Sequence, residues 1–371
     1  MKYVDEFRDP APAQALLARI GRAARRPIRL MEFCGTHTHA IFHHGLRQLL
    51  PPQVTLLSGP GCPVCVTAAG DLDRAISLAG LPGVTLATFG DMMRVPGSHG
   101  SLQAARAGGA DVRVIYSSLD ALDLARRNPE RTVILLGVGF ETTTPTVAAA
   151  LVQAATEGLT NFRVYALHKL TPPATAAILQ AGEVALDGIL APGHVSTIIG
   201  ADAWQFVPQQ FGLPVTVAGF EPLDILQAIA DLVEQHEAGR AAVHNLYPRV
   251  VRPGGNPTAL ALMARVFTPA VADWRGLGEV PASGLVLAEE FRRFDAWPLL
   301  VEHGLDRIQA REPASCRCGD VLRGAVAPPQ CPLFGRVCTP ERPIGPCMVS
   351  SEGSCAAYYR YADAVPERKD S

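Results

Sequence analysis

The sequence predicts an α/β protein with two Rossmann-like parallel-sheet domains side by side and a cysteine-rich domain at the C-terminal end. Three observations carry this. Short apolar runs alternate with Ala/Leu-rich segments of helical period from about residue 28 to residue 237, and repeated strand–helix alternation gives parallel sheets covered by helices. The tripeptide Gly-Phe-Glu occurs at 139–141 and again at 219–221, each time after an expected strand and at the start of an expected helix. Such an echo points to two related halves. Finally, Cys316, Cys318, Cys331, Cys338, Cys347 and Cys355 crowd into one stretch that is poor in periodic apolar pattern.

The elements follow in order. A helix is expected at about 11–24. Strands are expected at 28–33, 54–58, 84–89, 112–116, 133–139, 162–167, 188–191 and 215–220, with clear helical segments at 143–156 and 222–237. Past Pro253 the strand signals thin out. Seven prolines and four glycines lie between Pro313 and Pro346. A segment of that kind is unlikely to build its own apolar core, and a bound metal centre would supply the missing stability. The expected domains are therefore 1–130, 131–250 and 251–371.

The 371 residues carry 33 Lys plus Arg against 35 Asp plus Glu, a formal charge of −2. A nearly neutral chain without a basic run is a poor nucleic-acid binder. With 48% apolar and 18% charged residues it is an ordinary globular chain. No apolar stretch reaches the length of a membrane span. The first ten residues lack the apolar core of a secretion signal, so a cytoplasmic location is expected. Nine cysteines in a reducing compartment indicate metal or thiol chemistry before structural disulfides.

Four thiolates suffice for a 4Fe–4S cluster or for structural zinc. Zinc ribbons present ligands in close C-x₂₋₄-C pairs, and the only close pair among the last six cysteines is Cys316-x-Cys318. Wide spacing with interleaved Pro and Gly favours an iron–sulfur cube, around which the chain must wrap. Spacing alone leaves open which four of the six bind.

Cys34 stands alone, after an expected strand and before a helix that Thr36 can cap. The helix field and free backbone N–H groups favour a thiolate there. His37 lies one turn on, so this position suits a soft metal or a nucleophile. His39 and His43 have the i, i+4 spacing of a second, separate metal pair. Ser58-Gly-Pro-Gly-Cys62-Pro-Val-Cys65 has the minimal spacing of a reversible disulfide. No second C-x-x-C completes a zinc site, so Cys62 and Cys65 read as a redox pair. Gly137-x-Gly139 lacks the rest of a dinucleotide fingerprint, and no P-loop is present. Glu141 and His194 lie in turn-rich segments after strands, where α/β proteins bind ligands.

Five segments together resemble one family. They are Met31-Glu-Phe-Cys-Gly-Thr-His-Thr-His-Ala-Ile41, Gly59-Pro-Gly-Cys-Pro-Val-Cys65, Phe89-Gly-Asp-Met-Met-Arg-Val-Pro-Gly-Ser98, Gly139-Phe-Glu-Thr-Thr-Thr-Pro145 and Gly345-Pro-Cys-Met-Val-Ser-Ser-Glu-Gly-Ser-Cys355. In order, and from about residue 5 to residue 363, the chain resembles the HypD family of hydrogenase maturation factors. The resemblance implies a 4Fe–4S cluster on Cys316, Cys331, Cys338 and Cys355, which fit the family spacing C-x₁₄-C-x₆-C-x₁₆-C. It leaves Cys318 and Cys347 as a possible second thiol pair. It implies a role in building the Fe(CN)2CO unit of nickel–iron hydrogenases, with the iron held between Cys34 and a cysteine of the chaperone HypC. HypE is the implied cyanide donor, and the hydrogenase large subunit is the indirect partner. His37, His194 and Glu352 match family positions near the active region, and Cys62/Cys65 match its redox pair. The other reading is a free-standing iron–sulfur thiol oxidoreductase acting on a small molecule.

Overall fold

A computed structural model describes residues 5–361. The ends of the first and third expected domains, 1–4 and 362–371, lie outside the described residues. All eight expected strands form: β1 Ile28–Glu32, β2 Val54–Ser58, β3 Val84–Phe89, β4 Val112–Ile115, β5 Thr132–Gly137, β6 Phe162–Ala166, β7 Gly188–Pro192 and β8 Val215–Ala218. Three unexpected ones follow: β9 Val243–Asn245 and a hairpin, β10 Phe267–Trp274 and β11 Gly278–Leu287. The first helix runs Pro10–Ala23, and Thr144–Thr156 and Pro222–Glu237 are helical.

The first eight strands and β9 make two parallel sheets, ordered β2-β1-β7-β8-β9 and β4-β3-β5-β6. Inner strands such as β7 and β8 are buried along their whole length, as strands covered by helices on both faces must be. The chain leaves the first sheet after β2, builds the second, and returns at β7. A boundary at residue 130 thus falls between β4 and β5 of one sheet, and the first sheet draws on both expected halves. Strand–helix alternation identifies strands; it does not say which neighbours they choose.

Each sheet reverses direction about a central strand. β1 has β2 on one side and β7 on the other; β3 has β4 and β5. At such a reversal the loops at the carboxyl ends diverge and leave a crevice. Cys34 follows β1 and His194 follows β7. The loops after β3 and β5 line a cleft of about 810 Å³, whose other walls include Pro63, Val64 and Glu352.

The hairpin escaped the sequence because Pro269 interrupts β10 and the register shifts between Ala270 and Ala272, and both features weaken a strand signal. Its buried Trp274 stacks on Phe140 at 6.0 Å and donates Nε1–H to Ser283 Oγ at 2.7 Å. Arg275 N–H donates to Val66 O at 2.9 Å, which fastens the hairpin to the Cys62–Cys65 turn.

The C-terminal segment is built of short pieces. Its last helix, Ser354–Tyr361, packs on the helix Gly35–His43, with Tyr358 against Phe42 at 4.4 Å. Cys318, Cys338, Cys347 and Cys355 belong to the same apolar cluster as Met31, Phe33, Cys62, Cys65 and Trp274. The segment therefore shares the core of the first sheet. No helix among the described residues is long and apolar enough to cross a membrane.

Candidate thiol and metal site

Cys34 is itself the N-cap of the helix Gly35–His43, with extended backbone (φ −146°, ψ 122°); the expected cap, Thr36, lies inside the first turn. The Cys34 sulfur makes no cap hydrogen bond among the described residues, although the backbone N–H groups of Thr36 and His37 stand close enough to favour a thiolate. The side chain is nevertheless only 7% exposed. Burial pushes its thiol up to about 12, the Glu352 and Glu32 carboxylates push the same way, and the helix N–H groups oppose them without prevailing. The expected ready thiolate is thus corrected: desolvation outweighs the helix field. A bound cation reverses that balance, because a coordinating thiol gives up its proton.

The turn Gly59–Cys65 lies across Cys34. Gly35 N–H donates to Gly61 O at 2.9 Å, and a Cβ on Gly61 would stand 2.3 Å from Cys34 N. Glycine is needed there for close backbone approach. On the other side Glu352 Oε1 accepts from Thr36 Oγ1 at 2.7 Å. Beneath, the buried Glu32 carboxyl accepts from Cys34 N–H at 2.9 Å and from Thr38 Oγ1.

Cys62 caps the short turn Pro63–Val66, its sulfur accepting from Cys65 N–H at 3.3 Å. The two sulfurs lie 2.6 Å apart. Burial raises the Cys62 thiol well above its ordinary value. For Cys65 burial acts the same way, but hydrogen bonds from Cys347 and Cys62 and the charge of Arg275 prevail and lower it. Cys347 in turn has its sulfur 2.7 Å from that of Cys318, and Cys318, Cys355 and Cys65 together push its thiol well above the ordinary value. The front pair and the C-terminal cysteines, about 250 residues apart in the chain, thus form one run: Cys62, Cys65, Cys347, Cys318.

All six C-terminal cysteines line one recess of about 280 Å³ with Phe334, Gly345 and Met348. Among the described residues no three His, Cys, Asp or Glu side chains group as ligands of a single ion. A multi-iron cube asks for a wider ring of sulfurs, and a recess ringed by six cysteines meets that need. Its thiols also oppose one another's ionisation. The Cys316 thiol is pushed up to about 12, first by burial and then by Cys318, with Cys331 and Cys338 adding to it. A cationic iron–sulfur core would relieve that repulsion, so the residues fit the group.

His37 is fully buried. Its Nε2–H donates to Gly219 O at 2.8 Å, whereas Nδ1 has no hydrogen-bond partner among the described residues. Burial lowers it to about 4. His194, across the reversal, shares Phe220 with it. Glu141 stands elsewhere: its carboxylate accepts from Thr171 N–H and Oγ1 at 2.7 and 2.6 Å, capping the helix Thr171–Ala181. His39 and His43 stack at 5.6 Å beside Tyr361, and no third ligand joins them among the described residues. Two contributors were missed by sequence reasoning. Arg275 follows a strand that gave no signal. Phe220 lay in view inside the second Gly-Phe-Glu.

The arrangement defines a class: an α/β protein whose thiols, drawn from both ends of the chain, meet in one buried line behind a capping cysteine at a sheet reversal. A family model for HypD, described as the hydrogenase formation hypA family, matches residues 11–362. The hydrogenase maturation factor HypD of Azotobacter vinelandii is 52% identical over 370 residues, covering 97% of each chain. That of Escherichia coli K12 is 46% identical over 375 residues, covering 99% of this chain and 100% of its own. The hydrogenase expression/formation protein HupD of Azotobacter chroococcum is 51% identical, covering 97% of each. The chain belongs to the HypD family of hydrogenase maturation factors.

Proposed function

We propose that this chain is the scaffold and reductant on which the Fe(CN)2CO unit of nickel–iron hydrogenase is assembled. It acts in the cytoplasm in complex with the chaperone HypC, takes cyanide from HypE, and serves the hydrogenase large subunit indirectly. Iron is the cargo. The Cys34 thiolate shares it with a chaperone cysteine, because low-spin iron carrying cyanide and carbonyl wants soft ligands.

The thiols supply electrons. When Cys62 and Cys65 pass two electrons to the iron unit under assembly and release two protons, they close a disulfide. Cys347 gives up its proton and attacks Cys65 sulfur, and Cys62 leaves and is protonated in its place. Cys318 then attacks Cys347 sulfur and Cys65 leaves. The result is a reduced front pair and a Cys318–Cys347 disulfide, with atoms and electrons balanced. The lowered Cys65 makes it the better leaving group in the second exchange. Cys316, Cys331, Cys338 and Cys355 would hold a 4Fe–4S cluster, which would supply single-electron chemistry there. The observation that carries this reading is the two close sulfur pairs, Cys62/Cys65 and Cys318/Cys347, coupled to each other through Cys65 and Cys347 and opening into the six-cysteine recess.

Infrared spectroscopy of the chain purified with its partners tests it. The wild type is expected to show cyanide and carbonyl bands on iron. Cys34→Ala is expected to lose that iron while keeping the brown colour of the cluster; full retention of the iron overturns the assignment. Unchanged bands in Cys62→Ser or Cys65→Ser remove the thiols from the mechanism.

A further inference from the structure

Phe220 sits at the carboxyl end of β8 with an imidazole on each face. Its ring centroid lies 4.6 Å from that of His37, at 29° between planes, and 3.8 Å from that of His194, at 24°. Tyr247 closes one edge at 6.2 Å and 88°. The segment beneath is anchored. Arg249 donates to both carboxylate oxygens of Asp224, at 2.9 and 2.5 Å, and Asp224 Oδ2 accepts from Glu221 N–H at 3.4 Å. The neighbouring carbonyl, Gly219 O, is the one that accepts from His37 Nε2–H. One dipeptide thus grips His37 twice, its carbonyl choosing the protonated nitrogen and its ring choosing the plane.

That double grip has chemical content. A neutral imidazole has two tautomers, and the hydrogen bond made by one nitrogen decides what the other presents. With Nε2–H committed to Gly219, Nδ1 carries a free lone pair in a fully buried ring. Rotation of the His37 ring would break its hydrogen bond to Gly219 and would turn its face out of the stack with Phe220. The first Gly-Phe-Glu is used in a comparable manner: Phe140 braces Trp274, which precedes the Arg275 that bears on Cys65.

We propose that Phe220 is a positioning residue for the iron site: clasped between His37 and His194, it holds both imidazoles in place and keeps His37 as the Nε2–H tautomer with Nδ1 free to accept. Its purpose rests on the assembly reading above; its geometry does not. The test uses the full chain labelled with ¹⁵N-histidine, the His37 resonances being assigned by their loss in His37→Gln. Wild type and Phe220→Tyr are expected to show a single Nε2–H tautomer, the tyrosine hydroxyl having room in the open pocket beside the ring. Phe220→Leu, which keeps an apolar side chain but offers no flat face, is expected to show a mixture of tautomers. Phe220→Met gives the same comparison if the leucine variant does not fold. A single unchanged tautomer in Leu or Met overturns the proposal. Missing cyanide and carbonyl bands in the wild-type complex would instead overturn the assembly reading and leave the tautomer result standing.

Discussion

His168 lies just past β6 with both ring nitrogens buried and, among the described residues, without hydrogen-bond partners, its ring 5.6 Å from that of Phe267. Burial alone lowers it to about 4. A histidine depressed in the folded state gives stability that is complete above its unfolded value, near 6.5, and is lost as pH falls towards 4. Glu141 has the opposite sign: burial raises it to about 7, so its contribution is present in acid and fades as pH rises through neutrality. The two slopes overlap, and a variant separates them. His168→Leu is expected to flatten the acid limb of a Tm-against-pH curve between pH 7 and 5, where the wild type loses about 2 kcal/mol through this group. An unchanged acid limb would mean that other groups carry it. At this scale the sequence singled out residues that the fold gathers at one sheet reversal and misjudged their state. Cys34, Cys62 and Cys65 follow their strands as expected, but protonation depends on desolvation, and how deeply a residue lies is a property of its neighbours.

Among the elements, the hairpin carries the most weight for its length. It joins Phe140, at the carboxyl end of the second sheet, to the Cys62–Cys65 turn through Trp274 and Arg275. Removing a buried tryptophan costs about 3–5 kcal/mol. Trp274→Ala is therefore expected to lower Tm and, by loosening Arg275, to raise the Cys65 thiol; ultraviolet absorbance of the thiolate in the reduced protein follows the second effect. A Cys65 titration unmoved by this change would detach the hairpin from the Cys62/Cys65 pair. Of the eight strands that the sequence marked, β5 and β7 are nearly continuous apolar runs and β1, β4 and β6 are apolar runs broken by one Arg, which is why they were legible. The hairpin strands face solvent on one side and carry Pro269 and a bulge, so their pattern falls below that of a buried strand. The cap at Cys34 was missed by two residues, since a cysteine is no usual N-cap and Thr36 is a good one.

For the molecule as a whole, the decisive fact is that the first sheet is discontinuous in the chain. A fragment of residues 1–130 holds β1 and β2 without β7 to β9, and β3 and β4 without β5 and β6. It is expected to lack a cooperative thermal transition and dispersed amide resonances; a folded fragment would contradict the pairing order. The alternation of strands and helices made the class of fold legible, and the cysteine spacing made the recess legible. The return of the chain after residue 187 was not, because nothing local distinguishes β7 as a partner of β1 rather than of β6.

That return also sets a clock during synthesis. At roughly 5–20 residues per second, β7 follows β2 off the ribosome by roughly 6 to 26 seconds, and the last six cysteines come later still. Throughout that interval three sulfurs near the amino end wait without their shelter. A newborn copy is thus at its most vulnerable to peroxide before it is finished.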